Sequence, residues 1–460
     1  MSPLVHDLTA RRLDAALAAE QAAARVPSLV AAVVRDGELV WSGTRGQVVS
    51  VGEPDLLPTI DVQYRIGSIT KIMTAVLVMQ LRDDGRLRLT DRLGDHLPGA
   101  PYGGRTLREL LSHSGGLPAE PPGPWWERSP GVTLETLLAS LDEADAPFDP
   151  GREYHYSNLA YALLGALVAE VSGEPWAECL QRRVLGPLGM RRTSYLPLPP
   201  AATGYSVDTF SGEVTREPAH DAGAMAPAGQ LWSTVADLAR LAAFLIAPDE
   251  SVLAAETLAE MTAAQTGSPD AAAAGGYGLG LRLAVVGDRS YLGHTGSVPG
   301  FVAGLFVDRG HRAAGLAVAN GATGLRTQAF PVDLLRLLQD LEPSIPPAWI
   351  PTATVPDELR ELLGLWYWGN LAFTFGLESE RLVARSLAGN AVWFTVSRSD
   401  AGHLVGSSGY FAGERLRPVR RPDGGVSHLE CATFVFTRVP YDPSAPIPGG
   451  PPEPIRSGWV

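Results

Sequence analysis

The chain has 460 residues, 45% of them hydrophobic and 19% charged, which is enough apolar material for one large domain and one small one. A formal net charge of -13 and an isoelectric point near 5.2 argue against nucleic acid or an anionic membrane surface as a partner. The two cysteines, Cys179 and Cys431, are far apart, so neither a disulfide framework nor a metal-ligand spacing is present and no metal is expected.

Residues 1–26 carry acids, arginines and a helical pattern through Leu8, Leu13 and Leu17, where an export signal needs a continuous apolar core. No stretch is long and apolar enough to span a bilayer, so the expectation is a cytoplasmic protein with no membrane contact. Residues 28–41 read as two strands joined at Asp36-Gly37, a strong hairpin signal.

The stretch Arg65-Ile66-Gly67-Ser68-Ile69-Thr70-Lys71 is followed by an apolar run that includes Ile72, Met73, Val76, Leu77, Val78 and Leu81 and ends at Asp83-Asp84-Gly85. Apolar on every side and too long for a strand, it predicts a helix buried all round, with Ser68 in its first turn. Residues three apart share a helix face, so the Ser68 hydroxyl and the Lys71 amine can meet as nucleophile and base. An alkoxide at Ser68 would also sit near the positive end of the helix dipole. Lysine and arginine total 37, and Lys71 is the only lysine. A chain that otherwise uses arginine for positive charge keeps one amine, and only the amine can lose its proton at a working pH.

Residues 91–98 read as a short amphipathic segment and residues 106–113 as a short helix closed by Ser114-Gly115-Gly116. His113, at that helix end beside glycines, reads as a cap in preference to a catalytic base. Pro121 to Trp126 form a rigid loop whose two tryptophans either line a cleft or pack. Tyr156-Ser157-Asn158 stands where a loop enters the helical run 159–171 and presents a phenol, a hydroxyl and an amide, with Ser157 or Asn158 equally able to serve as the N-cap. Helix continues over 179–190, so residues 90–200 form a mostly helical insertion.

Residues 226–229 read as a loop and 233–245 as a helix capped by Ser233 or Thr234. Residues 277–283, 290–293, 301–308 and 313–320 read as antiparallel strands, with Gly293-His294-Thr295-Gly296-Ser297 between two of them, and 333–341 as a closing helix. The predicted division is a first domain over 1–342, a proline-rich linker over 343–356, a small antiparallel barrel or sandwich over 357–440 and a proline- and glycine-rich tail over 441–460. Within the third segment, strands are expected at 371–377, 381–386, 391–397, 403–405, 414–420 and 432–439. There is no internal repeat, Walker loop, dinucleotide fingerprint, His-Glu-x-x-His or Gly-x-Ser-x-Gly, and no cofactor is expected.

Ser68-x-x-Lys71, Tyr156-x-Asn158 and His294-Thr295-Gly296, in that order, resemble the three motifs of the serine β-lactamase and penicillin-binding-protein superfamily, most like its class C branch with D-aminopeptidases and esterases. The resemblance covers residues 5–340. It implies an α/β fold, a mixed antiparallel sheet with helices and a helical subdomain, with the active site between them. It also implies that Ser68 is acylated, that Lys71 and Tyr156 share the proton, and that Asn158 orients Lys71 and the substrate amide. The backbone N–H groups of Ser68 and Ser297 would form the oxyanion hole. His294 stands where β-lactamases mostly carry lysine, a weaker anchor for a substrate carboxylate, as in esterase, D-aminopeptidase and peptide-cyclising members. The C-terminal segment, from Trp366-Tyr367-Trp368, resembles the lipocalin-like domain of some bacterial members, among them thioesterases that release nonribosomal peptides by cyclisation.

The expected function is therefore a serine hydrolase that cleaves an ester or amide of a small molecule or peptide through an acyl-enzyme, with a D-amino acid substrate in view. The alternative is a thioesterase that cyclises a peptide borne by a peptidyl carrier protein, and a third reading is a non-catalytic binding protein, against which intact Ser68, Lys71 and Tyr156 weigh.

Overall fold

The computed structural model describes residues 5–48, 57–267 and 276–449, apart from positions 288, 323, 346–347, 352–353, 379–380, 389–391, 399–402 and 408. Two compact units divide between Ile345 and Pro346.

In the first unit helix α1 (Asp7–Ala24) leads into strands β1 (Ser28–Arg35) and β2 (Glu38–Gly46). Asp36 and Gly37 between them both have positive φ, 54° and 83°, the conformation of a two-residue hairpin turn whose twist matches its strands. Six further strands complete an antiparallel sheet: β3 (Thr266–Gly267), β4 (Gly276–Tyr277), β5 (Arg282–Val286), β6 (Arg289–Val298), β7 (Phe301–Asp308) and β8 (Ala313–Ala319), in the order β2-β1-β8-β7-β6-β5-β4-β3.

Strands β7 and β8 are buried at every residue because helices cover both faces of the sheet. Strand β1 shows the alternation: Leu29, Ala31 and Val33 pack with Leu13 and Leu17 of α1 and with Leu334 and Leu335 of the closing helix. Val30, Ala32 and Val34 join a second, larger core with Leu238 and Leu241. The closing helix runs Ala329–Leu341, four residues longer at its start than expected, since Pro331 falls in its first turn, where a missing N–H costs nothing.

Beyond the sheet's second face lie helices α2 (Thr70–Asp83), α3 (Leu107–Leu111) and α4 (Asn158–Ser172). Every residue of α2 from Thr70 to Leu81 is buried, as its all-apolar pattern predicts. Ser68 lies just ahead of it, in a 3₁₀ turn (Gly67–Ile69) and not in the α-helix proper. Ser157 is the N-cap of α4, its Oγ accepting from the Ala160 N–H at 3.0 Å, and Thr234 caps the helix Val235–Ile246. Residues 226–229 are a short helix, not the expected loop; Pro227 sits in its first turn, a position proline tolerates.

Among the described residues the second unit is built on one antiparallel sheet of eight strands. Besides those expected it contains Gly364–Trp368, which carries Trp366, and Val426–Cys431, which was not foreseen. Sequential strands neighbour each other, and an antiparallel bridge between Val405 and Arg415 brings the two sheet edges together, giving an up-and-down near-barrel. Trp366, Phe373, Phe375, Phe411 and Phe436 fill its interior. The expected strand start at Ala391 and the end of the tail, 450–460, lie outside the described residues; the tail's beginning folds back, with the Tyr441 N–H donating to Gly369 O at 2.9 Å. Both cysteines are buried and free, and among the described residues no helix is long and apolar enough to cross a membrane.

Candidate active site

The turn before α2 presents Ser68 from an otherwise sealed element: its neighbours Gly67 and Ile69 are buried, while Ser68 keeps partial exposure. One helical turn later the Lys71 side chain is fully buried, with its Nζ 3.0 Å from Ser68 Oγ, 2.6 Å from Asn158 Oδ1 and 2.7 Å from Ala228 O. Two of those partners can only accept. A neutral amine can therefore give its two N–H groups to Asn158 and Ala228 and turn its lone pair to the Ser68 hydroxyl. Burial lowers the Lys71 pKa from 10.5 to about 7, against the opposing pull of the Glu120 and Glu127 carboxylates.

Tyr156 stands beside this pair. Its ring centroid is 5.0 Å from Lys71 Nζ, and its phenol lies close enough to the Ser68 side chain to feel it electrostatically. Burial pushes the phenol pKa up, so Tyr156 rests protonated and Lys71 is the better resting base. Asn158, at the first turn of α4, takes Lys71 on its oxygen and donates through Nδ2 to Glu120 Oε1 at 2.6 Å.

Residues 293–297 were expected between strands, yet they lie within β6. The glycines there serve a close approach, not a turn. Pairing of β6 with β5 stops at Gly293, while pairing with β7 continues to Val298, so the last residues of β6 have a free edge that meets residues 66–68. A Cβ on Gly296 would lie 1.9 Å from Ile66 O, and one on Gly67, at φ 50°, would lie 2.7 Å from Ser297 N. Only glycine permits that contact, and it sets the backbone of Ser297 beside that of Ser68.

His294 is buried and neutral. Its Nδ1–H donates to Thr295 O at 2.5 Å, Nε2 accepts from the Tyr277 hydroxyl at 3.0 Å, and burial drops its pKa to about 3. It packs 6.0 Å from the Tyr156 ring with both nitrogens engaged, so it presents no cation to a carboxylate. The cation beside this strand is Arg282, whose Nη1 is 3.5 Å from Thr295 Oγ1. Thr295 is half-buried, and the Ser297 side chain is exposed.

Seven of the eight residues singled out from the sequence gather around one point through side chain or backbone: Ser68, Lys71, Tyr156, Asn158, Gly296, Ser297 and, one ring behind Tyr156, His294. Thr295 stands with Arg282. His113 is a helix-end residue, as expected, at φ 57°; its Nδ1 accepts from the Ser157 N–H at 3.0 Å and its ring lies 4.3 Å from that of Tyr156. The two tryptophans part company: Trp125 is exposed, while Trp126 is buried and donates through Nε1 to Glu120 Oε2 at 2.6 Å. Sequence reasoning passed over Glu120, Tyr161, Tyr277 and Arg282. Glu120 directly precedes the Pro-Trp loop, but no spacing or periodicity in the sequence marks any of the four.

The Beta-lactamase family matches residues 13–338, and a domain of unknown function, DUF7586, matches residues 355–438. Penicillin-binding protein 4 of Amycolatopsis lactamdurans is 32% identical over 343 residues, covering 68% of this chain and 85% of that protein. The D-alanyl-D-alanine-carboxypeptidase/endopeptidase AmpH of Escherichia coli (strain K12) is 34% identical over 191 residues, 40% of this chain and 49% of that protein. The chain spans about half the length of AmpH and of other curated relatives it matches. Among solved structures, a D-stereospecific amidohydrolase from Streptomyces sp. aligns with a TM-score of 0.58 at 27% identity, over 74% of this chain and 99% of that one. With three motifs converging on one serine in the expected fold, and the family spanning most of the first unit, the chain belongs to the Beta-lactamase family of the β-lactamase and penicillin-binding-protein superfamily, whose members include serine carboxypeptidases and amidases.

Proposed function

We propose that this protein hydrolyses an ester or amide of a small peptide-like substrate, with a D-amino acid on the acyl side, through an acyl-enzyme at Ser68. The observation that carries the reading is a buried, solitary lysine with a pKa near 7, held 3.0 Å from a hydroxyl that keeps partial exposure to solvent. Lys71 takes the Ser68 proton as Oγ adds to the substrate carbonyl. The N–H groups of Ser68 and Ser297 receive the oxyanion, and preorganised donors of this kind are worth ~3 kcal/mol each. The proton passes through Tyr156 to the departing amine or alkoxide, and the same groups then activate water to release the acid. The D-stereospecific amidohydrolase and the D-alanyl-D-alanine carboxypeptidase among the similar proteins favour a D-residue as the acyl group. Arg282 beside Thr295 supports a carboxylate on the leaving group, the task for which neutral His294 is unsuited.

The test is turnover of paired D- and L-aminoacyl amides, esters and dipeptides, with Ser68→Ala as control. Preference for the D-series, lost in the variant, is expected; equal turnover by Ser68→Ala would refute the assignment.

A second reading, a thioesterase that cyclises a carrier-bound peptide, uses the same residues. It is favoured by the eight-stranded C-terminal unit, which resembles the domain carried by such members. Mass spectrometry of a linear peptidyl thioester ending in a D-residue separates the two. Loss of the thiol with gain of water marks the hydrolase, and loss of the thiol alone marks the cyclase.

A further inference from the structure

We propose that Glu120 is a positioning residue for the base: its carboxylate fixes the Asn158 amide so that the oxygen, not the nitrogen, faces Lys71. The inference rests on the reading of Lys71 as the base of Ser68. An amide has nearly the same shape in either orientation, so something must decide which end meets Nζ. If the NH₂ faced Lys71, donor would meet donor and the amine would lose an acceptor.

The decision is made on the far side. Glu120 Oε1, 2.6 Å from Asn158 Nδ2, can only accept when ionised, which turns Oδ1 toward Nζ at 2.6 Å. The carboxylate is itself held, because Oε2 takes the donor-only indole N–H of buried Trp126 at 2.6 Å. The backbone around Glu120 is pinned to the start of α4: the Asn158 N–H donates to Ala119 O at 2.7 Å and Ser157 Oγ donates to Pro118 O at 2.6 Å. The chain of contacts Trp126, Glu120, Asn158, Lys71 thus has every donor and acceptor assigned from its ends.

Ionisable groups facing Lys71 are Glu120 and Glu127 from the Pro-Trp loop, Tyr156 and Tyr161 from the start of α4, His113 after α3 and His294 on β6. Of these, Glu120 alone both carries charge and bonds Asn158. Losing its charge, or letting the amide turn, disfavours the ammonium, so both effects move the amine's titration to lower pH.

Because Lys71 is the only lysine, protein labelled with lysine enriched in ¹⁵N at the ε position carries one side-chain amine signal whose titration needs no substrate. In Glu120→Gln the midpoint should fall by about one pH unit, and the acidic limb of kcat/KM should fall with it. The alkaline plateau of kcat should drop roughly tenfold. Trp126→Phe, which keeps the charge but frees one carboxylate oxygen, should lower the plateau with a smaller midpoint shift, and serves if Glu120→Gln does not fold. In an Asn158→Ala background Glu120→Gln should lower the plateau no further. An unchanged midpoint in Glu120→Gln, or the same rate loss with and without Asn158, would overturn the role of Glu120 alone. A wild-type amine that does not titrate below about pH 9 would overturn the base assignment beneath it.

Discussion

Helix α2 and the interior of the C-terminal near-barrel are both sealed from water, but around different things. The near-barrel closes on Trp366, Phe373, Phe375 and Phe436, each at most 1% exposed, and the Trp366 indole N–H is satisfied by Leu362 O at 2.6 Å. Helix α2 closes on an amine. Burying an ammonium costs several kcal/mol, and a helix selected for stability alone would carry methionine or leucine at position 71. The difference separates a core that holds a fold from one that holds a reactive group. Chemistry belongs where a costly polar group is buried with its partners assigned, and the aromatic interior of the second unit serves packing.

The largest effect that would break this contrast is expected at the serine. Ser68→Ala should lower kcat/KM by at least ~10⁴-fold with an unchanged circular-dichroism spectrum; retention of activity in a pure sample would dissolve the site. Lys71→Arg should cost roughly 10³-fold in steady-state assays, since the charge stays and the base is lost. In the wild type, kcat/KM should fall about tenfold per pH unit below pH 7, as the amine takes up a proton. The same depressed pKa has a sign for stability. Between about pH 7 and 10.5 the unfolded chain binds more protons at this lysine than the native state, so its penalty is complete below pH 7 and fades as pH rises toward 10.5.

Smaller effects sharpen the comparison. Arg282→Ala should raise KM about tenfold for a peptide with a free C-terminal carboxylate and much less for its amide, read from paired substrates. Trp366→Ala should leave kcat near wild type while lowering the stability of the second unit by about 3–5 kcal/mol, measured as an early thermal transition.

The sequence makes these two regions legible to different degrees for physical reasons. Ser68 and Lys71 declare themselves because a helix brings residues three apart together and because the amine is solitary. Tyr156, Asn158 and His294 come from distant segments, so only the resemblance of the motif set joins them. Glu120 stays hidden because its bond to Asn158 spans 38 positions and has no period. Glycines misled at residues 293–297: Gly296 answers to the neighbouring backbone of Ile66, which no local turn rule contains. Pro227 and Gly229 likewise suggested a loop where a short helix supplies Ala228 O to Lys71. In the near-barrel, Val426–Cys431 was missed because Ser427, His428 and Glu430 interrupt the apolar alternation.

The central claim is that Ser68 becomes acylated, and the direct measurement is tryptic peptide mapping of protein quenched during turnover of an activated D-aminoacyl ester. Cleavage after Arg65 and Lys71 isolates residues 66–71, in which Ser68 and Thr70 are the hydroxyl-bearing side chains. The account predicts the acyl mass on this peptide, assigned by fragmentation to Ser68 and absent from Ser68→Ala. An acyl group on any other residue, or turnover with no adduct at any quench time, would contradict it.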